Sequence, residues 1–211
     1  MNHETAVSNA KDIADRILAP AARQNDKEAR FSSEAIAALG PAGLLAIMLP
    51  TDVGGAGLGP RTLAAVVSTF AEADASAAMV YLMHVCATAT IASARQGAGV
   101  AQTLKDIAAG KHLTTLAFSE AGSRSHFWAP VSRAKRNAAG VHLTAKKSWV
   151  TSAGHAQSYV VSALSPEGTS PTESTLYLVA RDTPGHGDAR QRLRADDPGG
   201  LRDRTRPATH G

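Results

Sequence analysis

The spacing of apolar residues changes character near Gly110. Before that point they recur at helical intervals. Ala6, Ile13, Ile17 and Leu18 fall roughly on one face of a first helix, which Pro20 ends or restarts. Ser32 or Ser33 can cap a next helix bearing Ile36, Leu39 and Leu44, with Gly40-Pro41 as its break or bend. A short apolar run, Leu44 to Leu49, then meets a loop carrying Gly54, Gly55, Gly57 and Gly59. Pro60 suits the first position of a helix running to about Asp74. Asp74 and Ser76 can cap a long helix from Ala77 to Ala94, and a shorter one, Val100 to Ala109, stops at Gly110.

After Gly110 short runs rich in β-branched residues alternate with turns. Thr114–Phe118, Val131–Lys135, Val141–Thr144, Trp149-Val150, Ser158–Ala163 and Thr175–Ala180 read as strands, and Asn137–Gly140 fits a hairpin turn. The class is therefore α+β. Residues 1–112 form an all-α helical domain, and 113–186 an incomplete antiparallel β-barrel or sandwich. Residues 187–211 form a tail whose only large apolar residues are Leu193 and Leu201, so it is expected to be disordered.

Composition narrows the function classes. Aromatics are only 4% of the chain, which favours helices packed through small residues in the first half. The net charge is +4, and half of it lies between Gly187 and Gly211, where six Arg oppose four Asp. No basic patch interleaves with stacking aromatics, so a nucleic-acid partner is not expected. The single cysteine, Cys86, cannot form an internal disulfide and fits a reducing cytoplasm. The N-terminus has no apolar signal core. The stretch Ala77–Ala94 carries His84 and several Thr, and reads as a buried core helix rather than a membrane span. The Gly-rich loop lacks both GxxxxGK[ST] and a strand–GxGxxG–helix setting, so it reads as a tight turn, not a phosphate cradle. The eight histidines show no metal-ligand spacing, and no metal is expected.

Four segments, in order, carry a resemblance. Leu49-Pro50 with the Gly-rich loop is similar to P-x-x-x-G-G-x-G. Leu116-Ala117-Phe118-Ser119-Glu120-Ala121-Gly122-Ser123-Arg124-Ser125 is similar to a strand ending in [ST]-E-P-x-A-G-S-D. Lys146 to Gly154, KKSWVTSAG, resembles G-x-K-x-[WY]-[IV]-[TS]-[NS]-[AG], and Asp182-Thr183-Pro184-Gly185 resembles the turn after a later strand. Across residues 5–186 the chain thus resembles the acyl-CoA dehydrogenase family.

That resemblance implies a flavin cofactor, FAD with FMN as the alternative, held by the β-domain against an acyl thioester. Phe118 and Ser119 would contact the flavin ring from one motif, and Trp149, Val150 and Thr151 would flank it from the other. Ser125 would touch both FAD and the thioester or pantetheine arm. From the residues alone, Trp149 equally suits a core aromatic in a sheet, Ser119 and Thr151 ordinary strand hydroxyls, and Ser125 a turn. Glu120 invites an acid/base role, but the resemblance gives it a structural one. The chain departs from the family pattern at Ala121 for Pro, Arg124 for Gly and His126 for Asp, and Arg124 puts a close backbone approach to the flavin in doubt.

The implied reaction is α,β-dehydrogenation of an acyl-CoA thioester, with an electron acceptor such as an electron-transfer flavoprotein as partner. It needs a carboxylate base, which the family carries in a C-terminal helical domain; no catalytic residue is therefore assigned here. That domain also builds the homo-oligomer. The tail after about His186 reads as a shifted-frame or otherwise non-native end, so the chain is expected to be a truncated, inactive copy with weak flavin binding and poor solubility. Two alternatives stay open: a reduced-flavin monooxygenase of the same superfamily, and a non-catalytic interaction fragment.

Overall fold

The computed structural model describes residues 1–94, 97, 99–124, 126–138, 140–183 and 194–195. Its contacts divide into two units, Met1–Ala89 with Gln102–Thr115, and Thr90–Ala101 with Leu116–Gly211.

The first unit is helical. Helix α1 (His3–Ile13) opens on Asn2, whose side chain accepts the Thr5 amide at 2.8 Å. It runs through a π-helical turn (Ala14–Leu18) into α2 (Ala19–Lys27), so the chain stays helical across Pro20. The expected end or restart is absent for a physical reason. The Ala19 amide reaches back five residues to Ala14, and the widened turn places Pro20 where its missing N–H leaves no gap in the ladder. Ala6, Ala10, Ile13, Ala14 and Leu18 form the buried stripe. They pack with Leu39 of α3 (Ser33–Leu39), Val66 and Phe70 of α4 (Pro60–Ala73), and Tyr81 and Val85 of α5 (Ala75–Ala94). Phe70 and Tyr81 meet edge to face at 5.3 Å, and the Tyr81 hydroxyl donates to the Leu44 carbonyl at 3.1 Å.

Asp74, not Ser76, caps α5: one carboxylate oxygen accepts the Ala77 amide at 3.0 Å and the other accepts the Ser32 hydroxyl at 3.2 Å. By length and composition α5 could cross a membrane, yet half of it is buried in the protein, with Tyr81, His84, Val85, Ala87 and Ile91 inside. Helix α6 (Val100–Ala108) closes with Gly110 and Lys111 donating back to Ile107 and Asp106.

The Gly-rich loop is a self-contained turn. The amides of Val53, Gly54, Gly55, Ala56, Gly57 and Leu58 all donate to carbonyls between Ala46 and Thr51. A Cβ on Gly55 would lie 2.1 Å from the Leu49 carbonyl oxygen, so glycine is there to let the loop lie on that strand of chain. No nest of free amides remains for a phosphate.

The second unit is β-structured. One sheet has the order β1 (Thr114–Ala117), β4 (Ser158–Leu164), β5 (Ser174–Ala180); the other has β2 (Ala134–Asn137), β3 (Gly140–Leu143) and β6 (Arg194–Ala195). β4 and β5 pair antiparallel from Ser158↔Ala180 to Leu164↔Ser174, and β2 and β3 from Ala134↔Leu143 to Asn137↔Gly140, as the hairpin reading required. Arg194–Ala195 add to β3 as a two-residue edge strand; the rest of the expected disordered tail lies outside the described residues. Two expected strands differ. The run from Val131 enters its ladder only at Ala134, because the Val131 and Ser132 amides donate to the Glu120 carboxylate instead. Trp149-Val150 is not a strand: Trp149 turns left-handed, with φ +57°, at the head of a series of turns.

Candidate functional site

The two motifs nearest the implied chemistry, separated by almost thirty residues, lie side by side. The Ser148 amide donates to the Ser119 carbonyl at 2.9 Å, and Glu120 and Lys147 form an antiparallel bridge. Their side chains also pair, Lys147 Nζ to Glu120 Oε1 at 2.7 Å, with both side chains essentially excluded from solvent. Glu120 Oε2 accepts the Val131 and Ser132 amides at 2.7 and 2.8 Å. Lys147 Nζ also donates to the Ser162 carbonyl at 2.6 Å, the Phe118 carbonyl at 3.1 Å and the Ser162 hydroxyl at 3.2 Å.

Burial opposes the charge on both groups. The Lys147 ammonium and the Ser132 amide outweigh it at Glu120, so that carboxyl is held below its ordinary value; at Lys147 burial prevails and lowers the ammonium despite Glu120. Glu120 is thus engaged on both oxygens and has no role as an acid or base. The structural role implied by the resemblance is the one its geometry allows.

Around this pair the nominated residues fall as follows. Phe118, Ser119, Val150 and Thr151 are half-buried. Among the described residues the hydroxyls of Ser119 and Thr151 have no hydrogen-bond partner. Trp149 is 93% exposed, which overturns its reading as a core aromatic. Ser152, also left-handed at φ +64°, buries a hydroxyl with no partner. Ser125 lies outside the described residues. Arg124 is exposed and holds φ +51°, the backbone region glycine favours, so the departure from the family pattern keeps the turn and adds a side chain that points into solvent.

A cleft of about 370 Å³ opens in the same unit. Phe118, Phe127, Trp128 and Leu176 give it apolar walls, and Ser162 and Ser174 give it hydroxyls. Phe127 and Trp128 are more than half exposed and meet edge to face at 5.3 Å. Lys147, Ser162, Phe127 and Trp128 are the site residues that sequence reasoning missed. Lys147 stood inside a quoted motif; its signal was a lysine two residues before a tryptophan in one motif and a glutamate in the other. Exposure of Phe127 and Trp128 had no signal in the pattern.

The residues present suit a flavin. Its tricyclic ring is a flat apolar body with a polar edge, and the site offers an exposed indole, a half-buried phenyl ring and two uncommitted hydroxyls. Among the described residues no cluster of His, Cys, Asp or Glu could hold a metal ion.

Comparison with known proteins agrees with this reading of the fold. A family model described as acyl-CoA dehydrogenase, N-terminal domain, matches residues 1–111. A probable acyl-CoA dehydrogenase of Mycobacterium tuberculosis is 27% identical over 183 residues, covering 87% of this chain and 47% of that protein. The mitochondrial short-chain specific acyl-CoA dehydrogenase of Homo sapiens is 27% identical over 195 residues, covering 87% and 45%. The chain spans about half the length of the curated relatives it matches. Among solved structures, glutaryl-CoA dehydrogenase from Mycobacterium smegmatis aligns with a TM-score of 0.81 at 20% identity, over 94% of this chain and 55% of that one. Butyryl-CoA dehydrogenase from Megasphaera elsdenii aligns with a TM-score of 0.79 at 20% identity, over 92% and 55%. At that identity the likeness establishes the fold.

Proposed function

The chain belongs to the acyl-CoA dehydrogenase family, and from that premise we propose that it supplies the flavin-facing part of an oxidoreductase acting on the α,β bond of an acyl-CoA thioester. Residues 1–112 serve as the helical domain and residues 113–186 as part of the β-domain. The observation that carries the reading is the meeting of the Phe118–Glu120 and Lys147–Thr151 segments, with Trp149 turned outward and two hydroxyls uncommitted beside it.

When bound, FAD supplies a hydride-accepting chemistry that no amino-acid side chain provides. The chain's own residues hold and orient it. Phe118 and Trp149 would offer apolar contact to the ring with Val150 beside them, and the Ser119 and Thr151 hydroxyls would donate hydrogen bonds to its polar edge, where reduction adds negative charge. Ser125 is assigned to FAD and to the thioester arm. Each fixed hydroxyl donor is worth on the order of 1–3 kcal/mol where it meets a charged acceptor. No described residue is assigned as the base that takes the α-proton, since Glu120 is committed to Lys147. An acyl-CoA is the substrate class, and an electron-transfer flavoprotein is the natural class of acceptor.

Equilibrium titration with FAD, read by flavin fluorescence, tests the assignment. Weak but saturable binding is expected, weakened further in a Ser119→Ala/Thr151→Val double variant. Absence of saturable binding, or binding that the double variant leaves unchanged, contradicts it.

A further inference from the structure

Two segments of the second unit converge on one ammonium. Lys147 Nζ reaches the Phe118 carbonyl at the end of β1, the Glu120 carboxylate two residues later, and the Ser162 carbonyl in β4, all within 3.1 Å. Its hydrogen bonds go to the Phe118 carbonyl and to the carbonyl and hydroxyl of Ser162, and the Glu120 carboxylate lies beside it as an ion pair. Glu120 extends the tie to a third segment through the amides of Val131 and Ser132. The burial is complete enough that neither charge is shared with water.

This anchor sits next to a conformational cost. Two residues beyond Lys147, Trp149 adopts a left-handed backbone, which for a side chain with a Cβ costs about 1–2 kcal/mol, and Ser152 repeats it. The strained turn is held by the Ala153 amide on the Val150 carbonyl, by the Gly154 amide on the Tyr159 hydroxyl at 3.0 Å, and by the anchored Lys147-Ser148 entry. The anchor fixes where the turn starts, and so where the indole projects. A hydrophobic pair of the same volume would fill the space without dictating this register, because only the polar ties are directional.

We infer that Lys147 and Glu120 are positioning residues: their ion pair locks the 118–120 and 147–151 segments in a single register, so that Phe118 and Ser119 from one and Trp149 and Thr151 from the other present one surface to the flavin. The inference rests on the flavin assignment above and adds the residues that set its geometry. Both side chains are buried in the protein, and neither is assigned a contact with the flavin.

The test uses a Trp128→Phe background, in which Trp149 is the one remaining tryptophan of the chain's two. FAD titration is read by quenching of Trp149 fluorescence in the parent, in Lys147→Met, and in the neutral pair Glu120→Gln/Lys147→Met. Thermal unfolding is measured alongside. Lys147→Met strands a buried carboxylate and is expected to lower the melting temperature sharply. The neutral pair removes that stranded charge and is expected to recover most of the melting temperature, yet to bind FAD about tenfold more weakly than the parent, because the Phe118 and Ser162 ties stay broken. Amide exchange at Ser148 is expected to accelerate in the neutral pair while the β4–β5 ladder stays protected. A neutral pair that regains both stability and parental FAD affinity overturns the positioning role and leaves the flavin assignment standing. A parent protein that binds no FAD overturns both.

Discussion

The two units treat polar and strained groups in opposite ways. In the helical unit most buried polar groups are satisfied from within, although the Thr115 hydroxyl is buried with no hydrogen-bond partner among the described residues and Ala29 is left-handed and exposed. His84 is fully buried, yet its Nδ1 accepts the Thr114 amide at 3.1 Å and its Nε2 lies 2.9 Å from the Leu45 carbonyl, which fixes the neutral Nε2–H tautomer. The glycine loop consumes its own amides. In the β unit several unusual features face outward, beside the buried Glu120–Lys147 pair and the buried left-handed Ser152: Trp149 is exposed on left-handed backbone, and Phe127, Trp128 and Val131 are more than half exposed. Packing and internal hydrogen bonds account for most of the first set. It leaves the second set costly and unused, which is what a binding surface looks like before its ligand arrives.

The contrast predicts a graded response to change. Gly55→Ala should be the most damaging substitution in the loop, since its Cβ would meet the Leu49 carbonyl at 2.1 Å and the Leu49 Cβ at 2.3 Å. A loss of about 3 kcal/mol is expected in urea unfolding; a loss well under 1 kcal/mol would mean the helical unit is less tightly determined than its contacts imply.

Acid should act next, through His84. Burial, the largest influence, holds its imidazole down to about 4, against the raising effect of the Leu45 carbonyl. The unfolded chain takes up this proton as pH falls through about 6.5, the folded chain only near 4. Stability is therefore complete above that window and is lost on the way down through it, by roughly 3 kcal/mol. His84→Gln should flatten this part of the profile, measured by denaturant midpoints across pH.

In the β unit the effects should be small or reversed. Arg124→Gly relieves a left-handed residue at the expense of unfolded-state entropy, and is expected to stabilise by about 0.5 kcal/mol in thermal unfolding. Trp149→Ala should change stability by no more than about 0.5 kcal/mol, because its ring is in solvent, while removing FAD-dependent tryptophan quenching in the Trp128→Phe background. A large stability loss at Trp149 would erase the contrast between the units.

The sequence revealed the helical unit best where the signal was local. Pro60 at a helix start, Gly110 at a helix end and Asp74 at a cap each act on their immediate neighbours, so each could be read from the chain alone. Pro20 misled because a π turn absorbs it, and nothing in residues 14–18 announces one. In the β unit the positions of Phe118, Ser119, Trp149 and Thr151 were legible only through the joined motifs. The Trp149-Val150 strand failed because β-propensity describes side chains, whereas the backbone there turns left-handed two residues after Lys147, which is paired with Glu120 from 27 positions away. Contacts of that range leave no periodicity behind.

The paired 118–120 and 147–151 segments are proposed as the flavin-facing surface. Hydrogen–deuterium exchange of the whole chain with and without FAD tests this most directly. FAD-dependent protection is expected at residues 118–124 and 147–155, with the His84 helix and the Gly54–Gly59 loop unchanged. Protection confined to the glycine loop, or no protection anywhere under saturating FAD, would contradict it.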